Sequence, residues 1–449
     1  MADAAAPSLL IRHATILTMN DTLDIVEGAV SVRDGRIAAV GPEPSEPHDR
    51  VIDARGGYVL PGFVQTHVHL CQTLFRGYAD DMPLLDWLRR RVWPLEAAHT
   101  AATLRASTRL AAAELLLGGT TTVLSMETVH ETDAVFAALE EMGLRATVGK
   151  CMMDSDRDVP PRLREQTRAS IDESVALRQR WDGKANGRLR AAFAPRFAVS
   201  CSRDLLEAVA DLSTRQRVIV HTHASENRDE IEIVRRLSGG RGNLEYLADT
   251  GLATAQLCAA HLVWVTDDEI ALMAERGVKA LHCPGSNLKL GSGIAPVVEM
   301  RARGVSVSLG ADGAACNNHL DMFEEMRLAA TLQAVRRAPG ALTARDAVWM
   351  ATREGARALG LESEIGSLER GKRADVIVID RGGPHLSPDA DPWSTVVYAA
   401  RATDVRTTVV DGRVLVDDFT LREQDADAIA DEAKRAARTL AGRAFAGRP

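Results

Sequence analysis

What this chain lacks excludes several classes of protein. Its net charge is −8 and no basic cluster follows a phosphate backbone, so we expect no nucleic-acid partner. The N-terminus MADAAAPSLL has no basic segment followed by an apolar one, and no run of about 20 apolar residues occurs, so we expect neither a signal peptide nor a membrane span. None of the 6 cysteines forms a C-x-x-C pair, which favours reduced thiols in a cytoplasmic protein.

Two further observations limit the possible folds. The 449 residues exceed the roughly 250–300 at which a single core stops growing, so we expect one large domain with an accessory part. No glycine-rich fingerprint follows the first predicted barrel strand, which disfavours the main alternative, an open doubly wound sheet.

The two ends of the chain are rich in predicted strands. Asp34-Gly35 and Asp411-Gly412 each separate two apolar runs, which is a strong hairpin signal. We therefore predict that residues 1–60 and 365–420 form one small discontinuous β-sandwich domain. Residues 421–449, rich in alanine, arginine and acidic residues, are predicted to form a surface helix.

The middle of the chain, residues 61–364, alternates short apolar runs with longer amphipathic segments. Several of these segments end in glycine just before the next apolar run, as a helix C-cap does. About eight such units follow one another. The pattern predicts an α/β fold, a (β/α)8 TIM-type barrel that carries the catalytic site.

Polar residues stand where the barrel strands are predicted to end, which is where such barrels place their active sites. The run GYVLPGFVQTHVH ends in His67 and His69, which face the same way because strand side chains alternate. The later runs end in His221-Thr222-His223 followed by Glu226, then in His261, His282 and Asp312.

Imidazole and carboxylate donors that converge form a transition-metal site, for which zinc is the default. The ligands we expect are His67, His69, one of the two histidines of the fifth strand, and Asp312. The alternative is that the histidines are core residues and Asp312 a turn residue. Their joint position at strand ends favours the metal site.

The expected metal would be single and catalytic. No lysine ends the fourth run, AAFAPRF, which disfavours a two-metal site bridged by a modified lysine. A catalytic metal keeps a position for water and lowers the pKa of that water to about 7. Glu226 is then the expected proton carrier, and His261 the group that polarises the attacked or leaving group.

The motifs PGFVQTHVH, HTHASE, the lone His261, HCPGSNLKL and SLGADGA, in this order, resemble the amidohydrolase superfamily. The likeness covers nearly the whole chain and is strongest to the cytosine deaminase/chlorohydrolase-like branch, which includes guanine, 5′-deoxyadenosine and S-adenosylhomocysteine deaminases and triazine hydrolases. This resemblance implies that His223 is the fifth-strand ligand and His221 is not. It also implies one zinc ion (sometimes iron), a barrel with a small sandwich, and a homodimer or homotetramer.

The resemblance and the residues together imply a hydrolytic deaminase of an amino-substituted N-heterocycle. Glu226 takes the proton of the attacking water and passes it to a ring nitrogen. Asp312 can accept a second proton, and His261 stabilises the charge on the attacking oxygen. Ammonia leaves and an oxo product remains.

The expected substrate-binding residues follow two patterns. Trp87 and Glu96 match the adenosylhomocysteine deaminase type, in which the acid holds ribose hydroxyls and the indole contacts the nucleoside. Gln72, Arg196 and Phe197 match guanine deaminases, in which arginine and glutamine donors can read the acceptors of an oxopurine. Because whole-length resemblance favours the first type, we expect a 6-aminopurine nucleoside as substrate.

Several alternatives stay open from the sequence. The substrate alternatives are guanine or another oxopurine, an aminotriazine or chlorotriazine, and a cyclic amide. Trp87 could be a packing residue, and Arg196 could pair with a nearby acid and never contact substrate. A non-catalytic scaffold is the alternative of another class, and the completeness of the site disfavours it.

Overall fold

The computed structural model describes residues 7–155 and 159–446. Its strands form two sheets. The strands are β1 Leu9–Leu17, β2 Ile25–Arg33, β3 Arg36–Gly41, β4 Arg50–Asp53, β5 Tyr58–Pro61, β6 Phe63–His69, β7 Thr120–Met126, β8 Arg145–Met152, β9 Leu189–Pro195, β10 Val220–Ala224, β11 Leu257–His261, β12 Lys279–His282, β13 Val307–Leu309, β14 Asp312–Gly313, β15 Val376–Ile379, β16 Val405–Val410, β17 Arg413–Asp417 and β18 Thr420–Leu421.

Helices follow most barrel strands. Those of six residues or more are Leu70–Phe75 (3₁₀), Ala101–Leu117, Thr132–Met142, Thr167–Trp181, Arg203–Gln216, Arg228–Ser238, Asn243–Asp249, Asp267–Arg276, Pro284–Lys289, Val297–Ala302, Met322–Arg336, Ala344–Ala351, Arg353–Ala358 and Ala426–Ala444. Shorter turns are Leu84–Trp87, Leu88–Val92 (π), Trp93–Ala97, Lys184–Gly187, Pro384–Leu386, Pro392–Ser394, Thr395–Ala399 (π) and Ala402–Asp404.

The strands β6 to β13 lie side by side in chain order, and every pair is parallel. β13 pairs with β12, and β14, which follows it closely, pairs with β6. The segment from Val307 to Gly313 therefore bridges the seventh and first strands and closes the barrel. The predicted (β/α)8 architecture is confirmed.

The barrel strands are buried on both faces, which explains their nearly continuous apolar and threonine-rich sequences. Every residue of β7 (TTTVLSM) and of β8 (RATVGKCM) is buried. The helices between strands end as the sequence predicts: Gly143, Gly239 and Gly277 have φ of 83°, 74° and 70° at their C-caps.

The second sheet contains both ends of the chain, in the order β18-β17-β16-β15-β5-β1-β2-β3, with β4 on β1. The antiparallel β5–β15 pair joins the two ends. Both predicted hairpins are present. Their turn residues, Asp34-Gly35 and Asp411-Gly412, all have positive φ, as a type I′ turn requires.

The domain boundaries given above stay predictions. Residues 1–6, 156–158 and 447–449, which belong to the three predicted segments, lie outside the described residues. The C-terminal helix begins at Ala426, where the Asp425 side chain accepts hydrogen bonds from two backbone N–H groups. It packs against the helix Ala101–Leu117.

All six cysteines are buried and free. Among the described residues, no helix combines the length and the apolar character needed to cross a bilayer.

Candidate active site

Five of the residues expected at the site meet at the carboxyl end of the barrel. His67 Nε2 and His69 Nε2 lie 3.3 and 3.2 Å from Asp312 Oδ1. His69 Nε2 also lies 3.2 Å from His223 Nε2. His261 Nε2 lies 3.8 Å from Asp312 Oδ2. The structure thus brings together side chains from β6, β10, β11 and β14, which are far apart in sequence.

Each of these imidazoles is held through Nδ1, which leaves Nε2 directed into the cluster. The Nδ1 partners are Met126 O at 2.7 Å for His69, Arg196 O at 2.7 Å for His223, Asn287 Oδ1 at 2.9 Å for His261, and His221 Nε2 at 2.6 Å for His67. His221 therefore contacts a candidate ligand rather than joining the cluster itself.

The residues fit a divalent metal ion. Within the described chain, the Nε2 atoms of His67 and His261 are buried without a hydrogen-bond partner. The ligand atoms of His67, His69 and Asp312 lie within 4.8 Å of one another, as do those of His67, His223 and His261. Burial lowers the pKa of His67 to about 4 and that of His223 well below its ordinary value, so both stay neutral and keep a lone pair for a metal.

Two of the site residues have backbone in the left-handed region. His261 has φ of 74° and Asp312 has φ of 63°, and neither is a glycine. Such conformations cost roughly 1–3 kcal/mol and cluster at functional sites. Ser286 Oγ donates to Asp312 Oδ2 at 2.7 Å and so fixes the carboxylate.

Glu226 lies beside the cluster, with Oε2 3.6 Å from His261 Nε2. Ser292 Oγ donates to its Oε1 at 3.3 Å. The side chain is buried, and this burial raises its pKa to about 7, although the charge of His261 opposes the rise. A carboxyl group with this pKa can both accept and release a proton near neutrality.

A cavity opens onto this cluster. Its lining comprises His69, Leu84, Trp87, Leu88, Arg196, Phe197, His223, Glu226, His261, Leu290 and Asp312. Three of the five residues expected to bind substrate, Trp87, Arg196 and Phe197, are in this set.

The other two expected substrate-binding residues, Gln72 and Glu96, lie outside the cavity lining. Both are buried. Arg196 Nη1 donates to Glu96 Oε2 at 2.7 Å, and Gln72 Nε2 donates to Glu96 Oε1 at 3.0 Å. Arg196 thus pairs with an acid, as one alternative predicted, and also faces the cavity.

Several residues at the site have no role in the sequence analysis. Ser286, Asn287 and Leu290 belong to the motif HCPGSNLKL, which was recognised without roles for these positions. Leu84 and Leu88 line the cavity together with Trp87. The i, i+3, i+4 spacing of these three residues places them on one helical face, and this is the sequence pattern that could have indicated the two leucines. The remaining strand-end histidine, His282, is buried outside the lining, and neither ring nitrogen has a partner within the described chain.

Comparison with known proteins agrees with this geometry. The model of the "Amidohydrolase family" matches residues 58–415. The chain belongs to the amidohydrolase family, whose members are metal-dependent, and it is therefore a hydrolase of carbon–nitrogen bonds.

Particular relatives are similar over nearly their whole length. A 5-methylthioadenosine/S-adenosylhomocysteine deaminase of Symbiobacterium thermophilum is 44% identical over 91% of this chain and 94% of its own. A 5′-deoxyadenosine deaminase of Methanosarcina acetivorans is 39% identical over 98% and 99%. The crystal structure of an adenosine deaminase from Xanthomonas campestris with bound zinc superposes with a TM-score of 0.90 at 34% identity, covering 96% of this chain and 98% of that one.

Proposed function

We propose that this protein is a hydrolytic deaminase of a 6-aminopurine nucleoside such as 5′-deoxyadenosine, methylthioadenosine or S-adenosylhomocysteine. The observation that carries the proposal is the position of Glu226. This buried carboxyl group lies beside a cluster of imidazoles and Asp312, at the floor of a cavity with apolar walls. Relatives 38–44% identical are named as deaminases of these nucleosides.

A metal held by His67, His69, His223 and Asp312 would supply Lewis acidity and a water molecule of lowered pKa. We propose zinc, because the donors are three nitrogens and one oxygen; iron is the alternative. Elemental analysis of the purified protein tests this choice. We expect one zinc ion per chain, and a different dominant metal would contradict the choice of zinc.

The protein's own groups move the protons. Glu226 Oε2 accepts a proton from the attacking water and delivers it to the ring nitrogen next to the carbon that bears the amino group. His261 Nε2 stabilises negative charge on the attacking oxygen. Burial lowers the pKa of His261, but the carboxylates of Glu226 and Asp312 outweigh burial and raise it above its ordinary value. Asp312 accepts the second proton of the attacking water and passes it to the amino group, which leaves as ammonia.

The apolar wall of Leu84, Leu88 and Leu290 excludes bulk water from the reacting atoms. The ring of Phe197 offers a surface against which a flat heterocycle can stack. Both features suit a purine better than a flexible amide.

A second candidate is guanine or a related oxopurine. The observation that favours it is the presence of Arg196 in the cavity lining, since a guanidinium group can donate to a ring carbonyl. A guanine deaminase of C. acetobutylicum with bound guanine is also similar in structure, with a TM-score of 0.82 and 27% identity over 91% of this chain and 99% of that one.

The test is ammonia release by metal-loaded protein from a panel of compounds. The panel contains 5′-deoxyadenosine, methylthioadenosine, S-adenosylhomocysteine, guanine and an aminotriazine. We expect the highest kcat/KM with one of the three nucleosides. A preference for guanine supports the second candidate, and no ammonia from any compound rejects a deaminase. We further propose a cytoplasmic homodimer or homotetramer, and light scattering tests the oligomeric state.

A further inference from the structure

The two carboxyl oxygens of Glu226 have different surroundings. Oε2 faces the site and lies 3.6 Å from His261 Nε2. Oε1 accepts a hydrogen bond from Ser292 Oγ at 3.3 Å. Ser292 is 2% exposed and does not belong to the cavity lining. Its hydroxyl group therefore acts on Glu226 and not on a molecule in the cavity.

The main chain of Glu226 is held as well. Its backbone N–H donates to Glu230 Oε2 at 2.8 Å. Glu230 is buried, and its other oxygen, Oε1, accepts a hydrogen bond from Asn243 Nδ2 at 2.5 Å. Because the backbone and Oε1 of Glu226 are both held by buried groups, the direction in which Oε2 points is fixed too.

Ser292 lies in a turn that needs glycine on both sides. Gly291 has φ of 65° and Gly293 has φ of 128°, in the left-handed region that favours glycine. A Cβ atom on Gly293 would lie 3.0 Å from Val263 Cγ1 and 3.1 Å from Trp264 Cζ2. The turn therefore packs closely against the segment that follows β11.

Trp264 connects this turn to the segment that carries Glu226. Its indole Nε1 donates to Ser292 O at 2.8 Å, and its backbone N–H donates to Ser225 O at 2.9 Å. The backbone N–H of Ser292 donates to Asn287 O at 2.8 Å. Both sides of the Ser292–Glu226 contact are thus joined through one indole side chain. Trp264 is 37% exposed, so this connection reaches the surface of the molecule.

We infer that Ser292 is a positioning residue for proton transfer, which binds Oε1 of Glu226 so that Oε2 carries the proton, and that Trp264 holds Ser292 in place. The inference rests on the proposed function and deepens it. A hydrogen bond donated to an oxygen stabilises its unprotonated form, so the proton taken from the attacking water goes to the other oxygen. Without the Ser292 hydroxyl group both oxygens can take the proton, although only Oε2 faces the reacting atoms.

The first test is Ser292→Ala in metal-loaded protein, with the best substrate of the panel. We expect kcat to fall by about 10- to 100-fold, since the lost hydrogen bond is made to a charged group. KM should change by less than about threefold, because Ser292 is not part of the cavity lining. An unchanged kcat, or a loss that lies only in KM, would overturn the inference.

The matched control is Ser213→Ala. Ser213 is also 2% exposed, and its Oγ donates to Val218 O at 2.7 Å, before β10 begins and so at the end of the barrel opposite the site. Each alanine variant removes one buried hydroxyl group, so urea unfolding should show similar losses of stability in both. Only Ser292→Ala should lose kcat, and equal losses of kcat in the two variants would contradict a specific role of Ser292.

A double-variant cycle shows whether Ser292 acts through Glu226. Ser292→Ala is combined with Glu226→Gln, in which the side chain cannot carry the proton. If the hydroxyl group acts only on the Glu226 carboxyl group, the second change should lower the residual kcat by less than about twofold. The same loss in both backgrounds would mean that Ser292 acts by another route, against the inference.

The part played by Trp264 is tested by Trp264→Phe, which removes the N–H group bound to Ser292 O. The phenyl ring still offers a face to the Arg228 guanidinium group, which lies 3.9 Å from the centre of the indole ring. We expect kcat to fall about fivefold, the value of one neutral hydrogen bond, and to fall no further when Ser292→Ala is already present. An unchanged kcat, or a full additional loss in the Ser292→Ala background, contradicts this part of the inference.

Infrared spectroscopy gives an answer that does not depend on turnover. Burial raises the pKa of Glu226 to about 7, so its carboxyl group is mostly protonated at about pH 6. Its C=O stretching band is the one missing from Glu226→Gln. If Ser292 donates to Oε1, this band should move to higher wavenumber in Ser292→Ala and stay in place in Ser213→Ala.

The two proposals can therefore fail separately. If the metal-loaded wild type releases no ammonia from any compound of the panel, the proposed function is rejected, while the infrared band still decides whether Ser292 holds the carboxyl group of Glu226. A band at the same position in wild type and Ser292→Ala rejects the inference even if the deaminase activity is found.

Discussion

At the scale of single residues, burial decides which groups at the site carry charge. It keeps His67 and His223 neutral and so leaves their Nε2 lone pairs free for a metal. The same burial raises the pKa of Glu226 to about 7. One physical effect therefore prepares bases that hold a cation and an acid that exchanges a proton.

The role of Glu226 predicts the behaviour of Glu226→Gln. The amide keeps the shape of the side chain but cannot carry the proton, so kcat should fall by about 100- to 10,000-fold while the bound metal is retained. Ammonia release and elemental analysis on the same sample measure both quantities.

The matched control for this variant is Glu232→Gln, since Glu232 is an exposed acid on the helix that follows Glu226. It should match wild type in both measurements. Normal turnover by Glu226→Gln would show that another group carries the proton.

The sequence could predict the cluster residues but not the partners that hold them. His-x-His at a strand end and Asp312 after the last strand are local signals that the barrel topology brings together. The Glu96–Arg196 pair joins residues 100 positions apart, and its existence depends on side-chain packing that no local pattern records. The sequence analysis therefore expects Glu96 at the substrate and does not indicate its pairing with Arg196.

At the scale of elements, the short helix Pro284–Lys289 orients two site residues, because Ser286 binds Asp312 and Asn287 binds His261. Glu325, on the helix Met322–Arg336, holds this segment. Its Oε2 accepts from Gly285 N at 3.0 Å, and its Oε1 accepts from Asn317 Nδ2 at 2.7 Å.

This buried acid makes stability depend on pH. Burial raises the pKa of Glu325 from 4.5 to about 8. Between these two values the unfolded chain releases the proton and the folded chain keeps it, so this group's contribution to folding is complete below about pH 4.5 and is lost as the pH rises towards 8.

Glu325→Gln removes that titration. The difference in free energy of unfolding between the variant and wild type should therefore shift by about 1–3 kcal/mol in favour of the variant as the pH rises from 5 to 8. Urea unfolding at several pH values measures this difference. Parallel pH dependences of the two proteins would show that Glu325 titrates alike in the folded and unfolded chains.

The C-terminal helix Ala426–Ala444 is attached through apolar contacts. Leu440 has no exposed surface and belongs to the main core, and Ile429 is 1% exposed. Leu440→Ala should therefore lower the free energy of unfolding by about 2–5 kcal/mol. The exposed neighbour Arg438→Ala should change it by less than about 0.5 kcal/mol. Equal effects of both variants in urea unfolding would show that the helix contributes no stabilising side chain to the hydrophobic core.

At the scale of the whole molecule, the sequence predicted the architecture because the barrel and the terminal sheet use different local patterns. Buried strands followed by glycine-capped helices indicated the barrel, and two Asp-Gly turns indicated the hairpins of the second sheet. The split of the last barrel strand into β13 and β14 was not predicted, since it depends on the positive φ of Asp312 rather than on an apolar pattern.

Because the candidate ligands come from three barrel strands, β6, β10 and β14, metal removal should affect the whole fold. Treatment with a strong chelator should lower activity by about 100-fold or more. It should also lower the unfolding temperature, as a ligand present at 100 times its Kd contributes about 2.7 kcal/mol. Added zinc should restore both.

The Glu226→Gln protein is the control for metal removal, because it should lose the same thermal stability although it has little activity to lose. Full activity after verified removal of the metal would contradict the proposed chemistry.

The pairing of β5 with β15 also has a consequence for how the protein is made. β5 ends at Pro61, and its partner begins at Val376, so a ribosome completes every barrel strand before the terminal sheet can be completed. During that time the nascent chain exposes an open strand edge, a template for unwanted association. Synthesis slowed or interrupted between these two strands should therefore favour aggregation, although the finished molecule shields that edge.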